Sequence, residues 1–228
     1  MTVGLRKHKE IQQIKLAVDC IIFGFNDNRL ELLLIHRGFE PEIGKWSLIG
    51  EFIGNDEDLD DAANRVLYDL SGLQNIYMEQ VKTFGKANRD SSGRVVSITY
   101  SAMILKSEYN EEQVSKYNAK WFSIDDLPEL VFDHKDMVEM AIMRLRRRVR
   151  NTPIAFNLLP PKFTLPQLQA LYEGILDEAI DKRNFRRKIF QMDFLVKLDE
   201  KDMSESRKGA YLYQFDKALY EKEQYFNL

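Results

Sequence analysis

One cysteine, Cys20, in 228 residues rules out an internal disulfide and any zinc site built on cysteine thiolates. It sits inside the apolar run Leu16–Phe25, where a free cysteine behaves as a small core residue. Long apolar stretches are missing as well. None approaches the roughly 18–20 residues that a membrane-spanning helix needs. The polar start, Met1 to Gln13, lacks the apolar segment of a secretory signal, so the cytoplasm is the expected compartment. Internal repeats and low-complexity segments are also missing, which sets solenoids and disordered tails aside. What remains is an ordinary globular composition, 44% hydrophobic, in a chain long enough for two domains with a core each.

Charge is small in total and uneven along the chain. The net charge is −3. Residues 144–188 hold 11 Lys/Arg against 4 Asp/Glu, a local +7. Residues 1–143 hold 16 against 24, a local −8. An acidic front joined to a basic middle fits a nucleic-acid-binding module attached to a second unit.

The first half reads as strands with one helix among them. Leu16–Phe25 and Leu30–Arg37 flank a turn-rich break and predict a hairpin. Trp46–Ile53 predicts a third strand, reached through the loop Gly38–Lys45. Leu59, Ala62, Ala63, Val66, Leu67 and Leu70 share one helical face within Asp58–Leu70, and Gly72 is the stop. Ile76–Lys86 and Val95–Leu105 are further strands, and Trp121-Phe122 opens a short one. Asp133–Val149 predicts a long helix with Met137, Met140, Ala141, Ile142 and Leu145 inward and a cationic end that suits the helix dipole. The prolines of Asn151–Lys162 mark a domain junction.

Beyond it the order is helix, helix, hairpin, helix. Thr164 is an N-cap candidate with Pro166 in the first turn, and Leu165, Leu168, Leu171, Tyr172 and Ile175 repeat at helical spacing. The next helix, Lys182–Met192, turns Phe185, Ile189 and Met192 inward. Arg183, Asn184, Arg186, Arg187 and Lys188 are left to point outward. Arginine reads guanine through two hydrogen bonds, asparagine reads adenine, and lysine suits phosphate. Phe194–Leu198 and Ala210–Phe215 form a wing whose far side carries Arg207 and Lys208. The candidate DNA contacts are Lys162, Lys182, Arg183, Asn184, Arg186, Arg187, Lys188, Arg207 and Lys208.

The stretch Phe163–Glu173 followed by Asp181–Lys188, with Tyr211–Phe215 as the second wing strand, resembles the winged-helix domain of the Nudix-related transcriptional regulators. The front half is similar to the same family. The Nudix box pattern aligns without gaps from Glu51 to Leu73, where Glu57, Arg65, Leu67, Gly72 and Leu73 match. Its opening glycine is Glu51, the glutamate after Arg65 is Val66, and the paired glutamates are Asp69 and Leu70. Those carboxylates hold Mg²⁺ in the hydrolases, so the substitutions predict no metal site, no cofactor and no diphosphate hydrolase activity.

The resemblance implies an α+β protein in two parts. Residues 1–150 form a Nudix-like α/β/α effector domain with a mixed sheet, and residues 151–228 a winged helix-turn-helix domain. It implies a homodimeric regulator of operator DNA, expected to be a repressor released by its ligand. One branch of the family senses ADP-ribose and another L-arabinose. Loss of the Gly-Gly turn and of the box acids favours a neutral sugar, L-arabinose, with ADP-ribose as the alternative. The candidate effector contacts are His36, Lys45, Ser47, Glu51, Arg65 and Tyr100.

Overall fold

The computed structural model describes residues 13–26, 28–109, 111–204 and 208–223. Ten strands and six α-helices run along them. β1 (Lys15–Asn26) and β2 (Arg29–His36) form the predicted hairpin. β3 (Trp46–Ser47), β4 (Ile49–Phe52), β5 (Glu79–Phe84), β6 (Val95–Met103) and β7 (Ala119–Ser123) complete a seven-stranded sheet. Its main path is β3-β2-β1-β6-β5, with β4 on β1 and β7 on β2. The long β1–β6 pairing is parallel and every other pairing in the sheet is antiparallel, so the sheet is mixed.

Alternation along β1 assigns its two faces. Val18, Cys20 and Ile22 pack with α1 (Leu59–Ser71), and Ile21 and Phe23 pack with α3 (His134–Val149). A sheet buried on both faces needs the near-continuous apolar run seen in β1. Cys20 is the core residue expected: its Sγ donates to Ala63 O at 3.7 Å, and burial pushes the thiol pKa up. A short helix, α2 (Glu111–Ser115), lies between β6 and β7 and carries too little periodicity to be foreseen.

The expected strand Trp46–Ile53 is two strands. Trp46 and Ser47 pair with β2, whereas Ile49–Phe52 crosses over to pair with β1. The break falls at Leu48, whose N–H donates to His134 Nδ1 at 3.1 Å instead of to a neighbouring strand.

The C-terminal elements are α4 (Leu165–Leu176), α5 (Lys182–Ile189), α6 (Lys217–Glu223) and a three-stranded sheet, β8-β10-β9. Its strands are β8 (Phe163–Thr164), β9 (Leu195–Asp202) and β10 (Ala210–Phe215). Thr164 caps α4 in a capping box with Gln167. α5 is shorter than expected, ending at Ile189, yet Met192 remains buried in the turn that follows.

The proline-rich junction is packed rather than loose. Pro153–Leu158 form a 3-10 turn whose Pro153, Ala155, Phe156 and Leu158 are buried. Phe156 stacks on Phe215 of β10 with ring centroids 4.7 Å apart. One apolar cluster therefore runs from Ile21 and Phe23 through α3 and the junction to Phe185 and Phe194. Among the described residues no helix is long and apolar enough to cross a membrane.

Candidate functional site

A cavity of about 240 Å³ opens between β1, β4, the loop after β2 and the start of α3. Asp19, Arg37, Phe39, Glu51, Phe52, Arg89, Asp90, Phe132 and His134 line it. Four of these, Asp19, Arg37, Arg89 and His134, are buried polar or charged residues. Groups of that kind persist only when paired.

The pairing is visible atom by atom. Arg89 Nε and Nη2 donate to the Asp133 carboxylate at 2.7–3.1 Å, and Nη2 lies 3.7 Å from Asp19 Oδ2. Asp19 Oδ2 accepts from Ser97 Oγ at 2.5 Å. His134 Nδ1 accepts from Leu48, so its proton sits on Nε2, which faces Asp19 Oδ1 at 3.5 Å. Burial lowers the His134 pKa and keeps the ring neutral. Gly50 has to be glycine, because a Cβ there would stand 2.0 Å from Asp19 Oδ1. Arg37 donates Nε to Pro41 O at 2.9 Å, and its guanidinium lies over Phe39 and Phe132 at 4.3 and 5.6 Å from the ring centroids. Burial lowers the Arg37 pKa, opposed by Asp19 and other acids.

At the rim, the Nudix-box helix α1 sets Arg65 among three carboxylates. It binds Glu57 at 2.6 and 3.0 Å, Glu51 at 3.0 Å and Phe52 O at 3.1 Å, with Asp69 3.7 Å away. Hydrogen bonds from Arg65 and from the Gly54 N–H hold Glu57 down to a pKa of about 2. A Mg²⁺ site does not fit this donor set. Val66 is fully buried in the α1 core, Leu70 is apolar, and the remaining acids are already engaged by a guanidinium. No cluster of three or more His, Cys, Asp or Glu side chains suited to a metal occurs among the described residues.

Of the six expected effector contacts, only Glu51 lines the cavity, with Arg65 paired to it. Ser47 is fully buried and its hydroxyl donates to Leu48 O. Tyr100 faces α1, where its hydroxyl donates to Asp60 at 2.5 Å and accepts from Gln80, and burial pushes its pKa up to about 12. His36 is exposed and packs edge-on against Trp46. Lys45 pairs with Glu42 beside a separate shallow groove. Asp19, Arg37, Arg89 and His134 were not foreseen.

The second candidate surface is α5. Asp181 caps it, its carboxylate accepting from the Asn184 N–H at 2.8 Å. Phe185 and Ile189 are buried, and Lys182, Arg183, Asn184, Arg186, Arg187 and Lys188 are all exposed. None of those five cations forms an ion pair among the described residues. Lys208 is exposed, Lys162 is held by Glu200 at 2.7 and 2.8 Å, and Arg207 lies outside the described residues.

The cationic end of α3 behaves differently. Arg144 donates to Val81 O at 2.7 Å, and Arg148 pairs with Glu79 on β5. Arg146 donates to Ile175 O at 2.8 Å, and Arg150 pairs with Glu178 at 3.0 Å. Four of its five arginines are internal clamps, so the basic middle overstates the charge offered to a partner.

Residues 155–215 match the NrtR DNA-binding winged helix domain, and residues 13–141 match the NUDIX domain. The chain belongs to the NrtR-like family of Nudix-fold regulators with a DNA-binding winged helix. It is 33% identical to the ADPR responsive transcriptional repressor NtrR of Acinetobacter baylyi, over 88% of this chain and 81% of that protein. The crystal structure of Shewanella oneidensis NrtR complexed with a 27mer DNA superposes with a TM-score of 0.80 at 31% identity, covering 93% of this chain and 97% of that one. The Nudix domain of the same NrtR, in complex with ADP-ribose, superposes with a TM-score of 0.52 at 32% identity over 61% of this chain and 94% of that one. The chain is also 29% identical to an ADP-ribose pyrophosphatase of Methanocaldococcus jannaschii, over 59% of its length and 77% of that protein's. The Acinetobacter repressor is described as ADPR responsive and the Shewanella Nudix domain is bound to ADP-ribose, and the expectation of a pentose finds no support among these relatives.

Proposed function

We propose that this protein is a transcriptional repressor that binds ADP-ribose, or a close diphosphate relative, in the cavity beside His134 and does not hydrolyse it. The observation that carries the ligand is a buried cation set against aromatic rings there: Arg37 lies over Phe39 and Phe132, and all three line the cavity. A neutral pentose has no use for the Arg37 guanidinium in so small a cavity, where Arg89 is already held by Asp133 and Asp19. A diphosphate does, and an adenine ring finds a face on the phenylalanines. The Arg37 Nε bond to Pro41 O leaves its terminal nitrogens to the ligand. Glu51 and Asp90 offer acceptors to ribose hydroxyls. At about 240 Å³ the cavity is below the roughly 300–1,000 Å³ of most ligand pockets, so part of the ligand lies over the rim at Glu51 and Arg65.

Absence of turnover follows from the carboxylates. Arg65 engages Glu51, Glu57 and Asp69, and two box positions are apolar. DNA is read by α5, with Arg183, Asn184, Arg186 and Arg187 at base edges, Lys182 and Lys188 on phosphates, and Lys208 on the wing. Residues 1–150 serve as effector domain and residues 151–228 as DNA-binding domain. The protein acts as a cytoplasmic homodimer on a palindromic operator.

A thermal-shift titration tests the ligand. ADP-ribose at a hundredfold excess over Kd stabilises by about 2.7 kcal/mol. At about 2–4 °C per kcal/mol, that is a rise of about 5–11 °C. Arg37→Ala abolishes the rise. A rise with L-arabinose and none with ADP-ribose overturns the assignment, and release of AMP from ADP-ribose with Mg²⁺ overturns the absence of catalysis.

A further inference from the structure

The two faces of the wing are not equivalent. In β9 and β10 the cross-strand partners are Tyr211 with Lys201 and Tyr213 with Lys197. β9 advances four residues over that interval while β10 advances two, so the β9 strand bulges. The bulge brings both lysines onto one ring. Lys197 Nζ stands 3.6 Å and Lys201 Nζ 4.8 Å from the centroid of the Tyr211 ring. All three residues are exposed.

This arrangement is costly in the free protein. Each ammonium gains only a little from an exposed ring. Two like charges on one ring repel, and neither lysine has an ion-pair partner among the described residues. Of the acids beside them, Glu200 holds Lys162, Asp202 accepts from the Ser204 N–H at 2.8 Å, and Asp199 forms no ion pair with either lysine among the described residues. Lys162 shows what an internally compensated wing cation looks like, and Lys197 and Lys201 are the opposite case. An anion placed over them removes the repulsion.

Their position says which anion. Tyr213, next on the same face, is buried against α5, with Phe190 6.4 Å away ring to ring. Tyr213 is thus a packed link between the end of α5 and the wing strands that carry Tyr211 and the two lysines.

We propose that Lys197 and Lys201, positioned by the Tyr211 ring, bind backbone phosphates of the duplex that α5 reads. This site lies on the strands of the wing, apart from the tip residues Arg207 and Lys208. It rests on the DNA-reading role of α5. Its contribution is independent of sequence, because lysine on phosphate carries no base information.

The test measures affinity against salt for two duplexes. One is selected by the wild-type protein from a random-sequence pool, and the other is a scramble of it. Lys197→Ala with Lys201→Ala weakens both duplexes by the same factor and lowers the slope of log K against log salt by about 2, at about 0.9 per phosphate lost. The ratio between the duplexes stays unchanged. Tyr211→Phe keeps the wild-type slope, and Tyr211→Ala lowers it. Arg187→Ala is the contrast, collapsing the ratio between duplexes. An unchanged slope in the double variant, with the Arg187→Ala effect intact, overturns the wing site and leaves the reading of α5 standing. Wild-type protein that selects no duplex overturns the reading of α5 and the wing site with it.

Discussion

Replacing Arg89 with alanine is the perturbation that most directly tests how the cavity beside His134 is built. The Arg89 side chain is 2% exposed, and its partners Asp19 and Asp133 are 7% and 11% exposed. Removing one member of a buried ion pair leaves the other charge without compensation and costs about 3–5 kcal/mol. Here Asp133 is left alone, and Asp19 keeps Ser97 as a donor, with the His134 Nε2–H 3.5 Å from its other oxygen. The expected loss is therefore about 3–5 kcal/mol, or about 6–20 °C in Tm for a chain of this size. An exposed pair sets the scale: Lys135 and Glu139, 80% and 65% exposed, contribute about 0–1 kcal/mol. Urea denaturation reads both, with a lower midpoint and an unchanged slope for Arg89→Ala. The double variant Arg89→Ala with Asp133→Ala should lose less than the sum of its parts, with a coupling of about 0.5–3 kcal/mol. If Arg89→Ala costs no more than Lys135→Ala, the charges around His134 do not hold the cavity together, and the reasoning fails.

A Cβ at Gly174 would stand 2.7 Å from Asn28 O and 2.8 Å from Phe25 Cε2, so Gly174→Ala forces α4 off the β1–β2 hairpin and costs about 1–3 kcal/mol in urea denaturation. Thr164→Ala removes the α4 capping box and costs about 0.5–2 kcal/mol by the same assay, with Thr164→Ser close to wild type. His134 is neutral when folded and its pKa is lowered from about 6.5 by burial, so the unfolded chain takes up the proton first. Its contribution is complete above about pH 6.5 and is lost as the pH falls from there through the lowered folded value. Denaturation midpoints from pH 7.5 downward should show that decline, and His134→Gln should flatten it.

Local features were legible in the sequence and distributed ones were not. α5 is placed by Phe185 and Ile189 as anchors and the cations around them, all within one short stretch. The box pattern picks out Glu57 and Arg65, which the fold pairs. The cavity, by contrast, gathers Asp19, Arg37, Arg89, Asp133 and His134 from four segments of chain. Only Asp19, a charge inside the apolar run of β1, is locally conspicuous, and Arg89 reads as one more polar residue in a hairpin loop. Ser47 and Tyr100 are polar residues on strands that turn into the protein, a direction that spacing does not reveal. The arginines of α3 suit the helix dipole in sequence, yet their partners on β5 and α4 are distant in the chain.

Those arginines bear on how a ligand reaches the DNA-binding elements. α3 spans 16 residues, about 24 Å at 1.5 Å per residue. At its start, Asp133 and His134 belong to the charged network of the cavity. At its end, Arg146 holds the Ile175 carbonyl and lies 3.4 Å from Asp177, and Arg150 holds Glu178, all at the C-terminal end of α4. Glu173 of α4 in turn accepts from the Ile180 N–H, just before α5, at 3.0 Å. A loose tether would isolate the two ends, but the buried turn at Pro153–Leu158 and the Phe156–Phe215 stack remove that option. A shift of α3 relative to the sheet would thus bear directly on α4 and on the turn before α5 through these contacts. Tight binding alone does not produce that motion. A ligand lowers DNA affinity only by preferring one setting of α3 over the other, and a hundredfold loss of operator affinity requires about 2.7 kcal/mol of that preference. Loss or gain of one buried charge contact at Arg89, Asp133 or His134 is of that size. Arg89 and His134 line the cavity, where a ligand diphosphate would compete for those contacts.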